Sequence, residues 1–151
     1  MVVHDLAVQC NLNVPDAKLE NFSKNGSTFL TKRFDRDGKK RIHFASAMTL
    51  LGKNDGANAY DGSSYLEVAS FIRKYGETVK KDLQELWCRI VFNMAVSNND
   101  DHLRNHGFIL GKEGWKLSPV YDVNPSSYGD TLSLNVDSDS NLIDFNLALS
   151  V

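Results

Sequence analysis

Apolar residues recur at helical spacing in several segments of the chain. They predict helices over about 4–10, 44–51, 64–75, 78–97 and 141–149. The fourth is the longest, and its second half, WCRIVFNMAV, is apolar nearly all round. A helix of this kind packs on several sides in the middle of a domain. The polar segment NNDDHLRNH, which follows it, is therefore expected to be a loop that is held rigidly.

Strand-like runs predict two hairpins. Residues 17–22 and 28–34 flank an Asn-Gly dipeptide, which tolerates the positive φ angles of a tight turn. Residues 107–110 and 115–117 flank a Lys-Glu-Gly turn. The second hairpin follows the polar loop directly, and an alternating apolar and polar run occupies 131–136. Long helix, polar loop and hairpin therefore come in that order.

The composition fits one water-soluble globular domain. The chain has 151 residues, 42% of them hydrophobic and 24% charged. Its 17 basic and 19 acidic residues give a net charge of −2 and form no long run of one sign, so direct nucleic-acid binding is not expected. No segment approaches the ~18 consecutive apolar residues that a membrane span needs.

The two cysteines, Cys10 and Cys88, lie far apart in apolar helical stretches. This placement predicts buried, reduced thiols rather than a disulfide framework or a zinc site. A reducing compartment fits best, so we expect a cytoplasmic protein.

Three oxygen-bearing side chains have a spacing that indicates phosphoryl transfer. Asn105 follows Asp100 after four intervening residues, and Asp122 follows the predicted hairpin. Protein kinases use this order for a catalytic Asp and two Mg²⁺ ligands. The spacing to Asn105 alone selects Asp100 rather than Asp101 as the base. Carboxylate and amide oxygens suit Mg²⁺, and a carboxylate can accept the proton of an incoming hydroxyl.

Other interpretations of these residues stay open at this point. Ser-Asn-Asn-Asp-Asp after a helix is also typical of a helix stop and an Asx turn. His102 and His106 are four apart, a spacing that would suit two metal ligands on a helix, but the segment is predicted to be a loop. The chain contains neither a Walker A loop nor a GxGxxG motif.

The segment NNDDHLRNHGFIL, followed by WKLSPVYDV, resembles the DxHxKN and YD motifs of HipA-like serine/threonine kinases. The earlier segments LNVPDAKLENF, TFLTKRFDR and RIHFASAMTLLG are similar to that family's chain from the end of the small lobe, through the hinge, into the first large-lobe helix. The resemblance covers about 6–149. Arg104 departs from it, because the family has Lys there, and the change alters the donor geometry.

The resemblance implies an α+β, protein-kinase-like fold: a mostly α-helical large lobe with β-hairpins at the hinge and around the catalytic loop. Residues 1–36 would form the end of the small lobe and the hinge, and 37–151 the large lobe. The family's Gly/Ser-rich phosphate loop and its ATP-binding Lys lie upstream of the matched stretch, so the small lobe is expected to be largely absent.

The resemblance also implies roles for individual residues. Asp100 would be the catalytic base, His102 a phosphate-side residue next to it, and Asn105 and Asp122 the Mg²⁺ ligands. The hinge residues Lys32 to Phe34 would bind adenine through backbone groups, and Asp35 would lie near the ribose. The alternative for RFDR is a strand end whose Arg and Asp pair locally.

The activity implied is that of an ATP- and Mg²⁺-dependent kinase of the HipA toxin type, which phosphorylates a protein serine. In the best-known branch the substrate is an aminoacyl-tRNA synthetase, and a DNA-binding antitoxin restrains the toxin. The alternatives are a non-catalytic kinase-like binding module, or a split-kinase subunit that needs a partner chain. A weaker one is a metal-dependent phosphohydrolase, with water as the acceptor.

Overall fold

The computed structural model describes residues 1–151. Its α-helices are α1 (Val2–Gln9), α2 (Ala47–Leu50), α3 (Tyr65–Tyr75), α4 (Val79–Ala95) and α5 (Phe145–Leu149), with a 3-10 turn at Ala59–Asp61. Its strands are β1 (Ala17–Ser23), β2 (Gly26–Thr31), β3 (Arg36–Asp37), β4 (Lys40–Arg41), β5 (Phe44–Ser46), β6 (Gly107–Leu110) and β7 (Trp115–Leu117). The fold is α+β, as predicted.

The strands form three separate antiparallel sheets. β1 pairs with β2, β3 pairs with β4, and β5, β6 and β7 form a three-stranded sheet in that order. The β6–β7 hairpin has the predicted bounds. Pairing of β5 with β6 brings the segment before α2 against the residue that follows the polar loop, since Ser46 lies opposite Gly107.

Helix α4 lies between two apolar clusters. Leu86, Ile90 and Met94 belong to the larger cluster, which α3, the sheet and the segment 131–136 complete, while Phe92 belongs to a smaller cluster with Ala7 of α1. This position confirms that the long helix packs on several sides. None of the α-helices combines the length and the hydrophobicity that a membrane crossing requires.

Helix α3 begins where the sequence predicts it. Ser64 and Glu67 form a capping box, in which the Glu67 carboxylate accepts a hydrogen bond from the backbone N–H of Ser64. Gly76 ends the helix. A Cβ at this glycine would collide with the Ile72 carbonyl, so a larger residue would disturb the helix end.

Several predicted elements differ from the observed ones. Phe44 lies in strand β5 rather than in a helix, because it pairs with Ile109 of β6, which is distant in the sequence. The run 131–136 forms only isolated bridges. The last helix is limited to α5, since Asp144 caps it by accepting a hydrogen bond from the N–H of Asn146.

Two local predictions need correction. In the first hairpin Ser23 pairs with Gly26, so the turn is one residue earlier than the Asn-Gly dipeptide suggests, and only Gly26 has a positive φ. Cys10 is exposed and Cys88 only half-buried, although both are free thiols as expected. Cys10 follows the last residue of α1, and Cys88 is a partly buried residue that packs against the smaller cluster.

Candidate functional site

The polar loop 98–106 contains neither helix nor strand, yet hydrogen bonds to the start of α2 and buried side chains hold it in place. The carbonyls of Leu103 and His106 accept hydrogen bonds from the N–H groups of Met48 (3.2 Å) and Ala47 (2.7 Å), which begin α2. These N–H groups have no partner inside a helix, so the loop carbonyls satisfy them. The buried loop residues are Asn98, Asp101, Leu103, Asn105 and His106. Backbone hydrogen bonds and five buried side chains thus hold this loop against the core.

The buried anchor of this loop is the carboxylate of Asp101, which is only 4% exposed. One of its oxygens, Oδ2, accepts hydrogen bonds from the Tyr65 hydroxyl (2.8 Å), the Asn93 amide (2.7 Å) and Nε2 of His106 (3.0 Å). These donors come from α3, from α4 and from the residue before β6. The carboxylate therefore joins three elements at one atom.

The electrostatics of this cluster favour the ionised form of Asp101. Burial raises the pKa of its carboxyl, but His106, the Tyr65 hydroxyl and Arg89 together outweigh burial and hold the pKa below its usual value. The pKa of Tyr65 is raised well above its usual value by burial and by the adjacent carboxylate, so its hydroxyl stays a donor. Arg89 is also buried and donates to Glu85 and to the carbonyl of Ser118 (2.6 Å).

Asp100 and Asn105 occupy opposite environments on the same loop. The Asp100 side chain is 87% exposed. Asn105 is buried, and its amide nitrogen donates to the carbonyl of Asp100 at 3.0 Å. Its amide oxygen has no hydrogen-bond partner within the protein and is not sealed from solvent. That oxygen is available to a cation.

Asp122 adopts a left-handed backbone conformation, with a φ of 57°. Non-glycine residues rarely adopt it, and such conformations cluster at functional sites. The preceding residue, Tyr121, donates its hydroxyl to the carbonyl of Arg104, so the Asp122 segment is tied to the polar loop. Burial raises the pKa of Tyr121 to about 12, which keeps this donor protonated. Its ring lies 5.9 Å from that of Phe34 and 6.2 Å from that of Phe44.

A cleft of about 820 Å³ opens beside Asp122. It lies between α1, the β1–β2 hairpin and the segment 120–125, and its lining includes His4, Phe29 and Thr31. Asn105 reaches a small cavity next to this cleft, and Tyr121 and Val123, which flank Asp122, line both spaces. The structure thus brings Asn105 close to the Asp122 segment.

Asp100 and His102 open into a different cleft, of about 200 Å³. His102 Nε2 lies 4.0 Å from Oδ1 of Asp100, so the two predicted catalytic side chains are neighbours. The same cleft contains Arg104, which forms an ion pair with Asp55 (2.8 Å). The kinase-like order of these residues predicts that Asp100 and Asp122 converge, whereas the structure gives them separate clefts.

The predicted hinge residues line a third cleft, of about 250 Å³, together with Tyr121. The backbone N–H and carbonyl of Phe34 make no hydrogen bond within the protein, and Lys32 lies 3.7 Å from the carboxylate of Asp16. Asp35 pairs locally with Arg33 (2.7 Å) and Arg36 (2.6 Å). These arginines, Arg33 foremost, lower the pKa of Asp35 to about 2.

Only a cation that needs few protein ligands fits this arrangement. No group of three or more His, Cys, Asp or Glu side chains converges anywhere in the structure, and Nε2 of His106 is directed at Asp101, so a His102–His106 metal site is not supported. The amide oxygen of Asn105 and the carboxylate of Asp122 are hard donors. Mg²⁺ accepts one or two such protein ligands and completes its shell with water and phosphate oxygens.

The sequence analysis did not identify the buried polar residues that surround Asp101. Tyr65, Arg89 and Asn93 are buried around Asp101, and none of them belongs to a predicted site. A signal was present for two of them, because Arg89 and Asn93 are the polar residues in the otherwise apolar WCRIVFNMAV segment. Buried polar residues in such a helix require partners.

We expect Asp101 to make the stability of the fold fall in acid. Because the pKa of this carboxyl is lower in the folded chain than the ~3.9 of an unfolded one, protonation favours unfolding. Its contribution is complete above about pH 5 and is lost as the pH falls through the lowered pKa. The Asp101→Asn variant lacks this contribution, so its deficit in melting temperature should be largest near neutral pH and shrink on acidification. A deficit that grows on acidification would contradict this assignment.

The chain matches one family over nearly its whole length. The HipA-like C-terminal domain family covers residues 1–149. A Haemophilus influenzae protein named "Putative kinase" is 33% identical over 125 residues, which are 76% of this chain and 36% of that protein. A Sinorhizobium fredii protein named "Putative kinase Y4mE" is 30% identical over 127 residues, 78% of this chain and 30% of that protein. The chain thus spans about a third of the length of these curated relatives.

Solved structures agree on the fold. HipA of Shewanella oneidensis, in a complex with HipB and operator DNA, superposes with a TM-score of 0.82 at 19% identity, covering 99% of this chain and 44% of that one. The Helicobacter pylori proinflammatory kinase CtkA gives a TM-score of 0.68 at 15% identity, covering 99% of this chain and 72% of that one. These neighbours show a kinase-like α+β fold. The family match over residues 1–149 establishes that the chain belongs to the HipA-like C-terminal domain family.

Proposed function

We propose that this chain supplies the catalytic and metal-binding loops of an ATP- and Mg²⁺-dependent serine/threonine protein kinase of the HipA type. The observation that carries the proposal is the arrangement around Asn105. Its amide oxygen is free, it lies beside the Asp122 segment, and its amide nitrogen holds the backbone of Asp100. In this account residues 1–36 belong to the small lobe and hinge, and 37–151 to the large lobe.

Each side chain then has one task. Asp122 and Asn105 would hold Mg²⁺, which supplies neutralisation of the phosphate charge. Asp100, exposed in its own cleft, would orient the acceptor hydroxyl and take its proton. His102 is a neighbour of Asp100, and its ring would bind a phosphate oxygen next to that carboxylate. The cleft beside Asp122 would then take the nucleotide phosphates, and the cleft of Asp100 would take the acceptor.

The nucleotide base would bind at the third cleft. The unpaired backbone N–H and carbonyl of Phe34 can bind the edge of adenine, and the Lys32 side chain lies next to them on the exposed rim. Both carboxylate oxygens of Asp35 already accept hydrogen bonds from arginines, so a ribose hydroxyl would donate to a carboxylate that has other donors.

We propose a protein serine as the acceptor of the phosphoryl group. An antitoxin is the partner we propose, because the Shewanella HipA structure contains HipB and operator DNA.

Replacing Asp122 with Asn should abolish binding of Mg²⁺-ATP. The substitution keeps the shape of the side chain but removes the charge that a hard divalent cation requires. Calorimetric titration of Mg²⁺-ATP into the parent and the variant measures this, with Asp139→Asn as the control, since Asp139 is also exposed but lines none of the three clefts. Equal affinity in the parent and Asp122→Asn would remove Asp122 from the site. No heat in the parent would leave a non-catalytic module or a partner-dependent subunit.

Replacing Asp100 with Asn should separate binding from chemistry. Mg²⁺-ATP affinity is expected to stay within about twofold, because the side chain opens into another cleft, while phosphoryl transfer falls by about 10²–10⁴-fold with loss of the base. The measurement is transfer of label from γ-labelled ATP to added casein, to the chain itself and to water. Label that appears only as free phosphate would indicate a phosphohydrolase instead. Unchanged transfer in the variant would exclude Asp100 as the base.

A further inference from the structure

The residue between Asp100 and His102 has no role in the proposed chemistry, yet no other side chain of the loop has as many hydrogen-bond partners. Asp101 Oδ2 receives hydrogen bonds from Tyr65, Asn93 and His106, at 2.7 to 3.0 Å. The network continues behind it, since the Asn93 amide oxygen accepts from Asn98 at 3.0 Å. All five side chains are buried.

This inward anchor fixes what its neighbours present to solvent. Asp101 is 4% exposed, whereas the side chain of Asp100, next to it, is 87% exposed. The carbonyl of Asp100 also accepts from the amide nitrogen of Asn105 and from the N–H of His102. A displacement of Asp101 would therefore move the outward carboxylate and the amide that is joined to it.

We propose that Asp101 is a positioning residue for phosphoryl transfer: its buried carboxylate holds the loop so that Asp100 faces the acceptor cleft. The proposal rests on the proposed function. Asp101 acts through Asp100 and touches neither nucleotide nor acceptor. Small displacements of a reacting group cost rate steeply, so the effect appears in turnover rather than in nucleotide affinity.

A carboxylate suits this position better than a neutral amide does. All three donors converge on one oxygen, and the negative charge of the carboxylate strengthens each of these hydrogen bonds. If the amide of an Asn at this position were turned, its NH₂ group would face three donors. The substitution Asp101→Asn is nearly isosteric, so it changes the hydrogen bonding of the anchor with little change in packing.

The chain offers a matched control in Asp82. This carboxylate is also buried, at 5% exposure, and accepts from the Thr78 hydroxyl at 2.9 Å. It lies in the first turn of α4, about 20 Å along the helix from the end that leads into the loop. Asp82→Asn thus removes a buried charge without touching the loop.

A second variant, Tyr65→Phe, guards against a failure of Asp101→Asn to fold. It removes a single donor to Asp101 and keeps the buried ring, which packs edge-on against His106 with centroids 5.5 Å apart. The three variants and the parent are compared in the same γ-labelled ATP transfer assay with casein. Melting temperature, the Kd for Mg²⁺-ATP, the KM for ATP and kcat are measured for each protein, well below its melting temperature.

The proposal predicts that Asp101→Asn lowers kcat at least about tenfold and Tyr65→Phe severalfold, while Kd and KM for Mg²⁺-ATP change by less than about threefold. Asp82→Asn should leave kcat within about twofold of the parent, whatever its melting temperature. If Asp101→Asn, or Tyr65→Phe should the former not fold, keeps the parent's kcat, the positioning role is wrong and the kinase assignment stands. A parent that binds no Mg²⁺-ATP and transfers no label overturns the kinase assignment and this role with it.

Discussion

A buried negative charge is tolerated only where donors surround it, and this requirement organises the fold around Asp101. The carboxylate needs Tyr65 from α3, Asn93 from α4 and His106 at the start of β6. Two of these donors lie on helices that are held by apolar packing, because α3 and α4 bury Val68, Ile72 and Ile90 in the larger cluster. The polar loop is therefore fixed by the core beneath it rather than by its own secondary structure.

A second connection joins this loop to the segment that carries Asp122. The Tyr121 hydroxyl donates to the carbonyl of Arg104, and the Tyr121 ring packs beside Phe34 and Phe44. Phe34, the polar loop and the segment that carries Asp122 are distant in the sequence, and they thus meet at one aromatic side chain.

The sequence predicted the elements that depend on local signals. The β6–β7 hairpin and the N-cap of α3, Ser64, lie where the sequence predicts them, because turn and capping residues act within a few positions. The prediction of a helix at Phe44 was wrong, since its strand conformation depends on pairing with β6, which is distant in the sequence. The alternating run 131–136 likewise depends on distant partners, and it forms only isolated bridges with Ser64 and Leu142. The spacing to Asn105 favoured Asp100 over Asp101 as the base, and in the structure Asp100 is exposed while Asp101 is buried. The sequence could not predict this burial, because the donors to Asp101 include side chains from α3 and α4. The roles of Asp100, Asn105 and Asp122 remain predictions.

The most direct test of a metal–nucleotide site between Asn105 and Asp122 is to replace Mg²⁺ by Mn²⁺ and to record the backbone amide NMR signals of the chain as Mn²⁺-ATP is added. The paramagnetic ion broadens the signals of residues near it. Signals around Asn105 and Asp122 are expected to broaden first, while those at the tip of the β1–β2 hairpin, Lys24 and Asn25, stay sharp. Broadening that spares both loops, or that centres on the Asp137 and Asp139 segment, would contradict a metal–nucleotide site between Asn105 and Asp122.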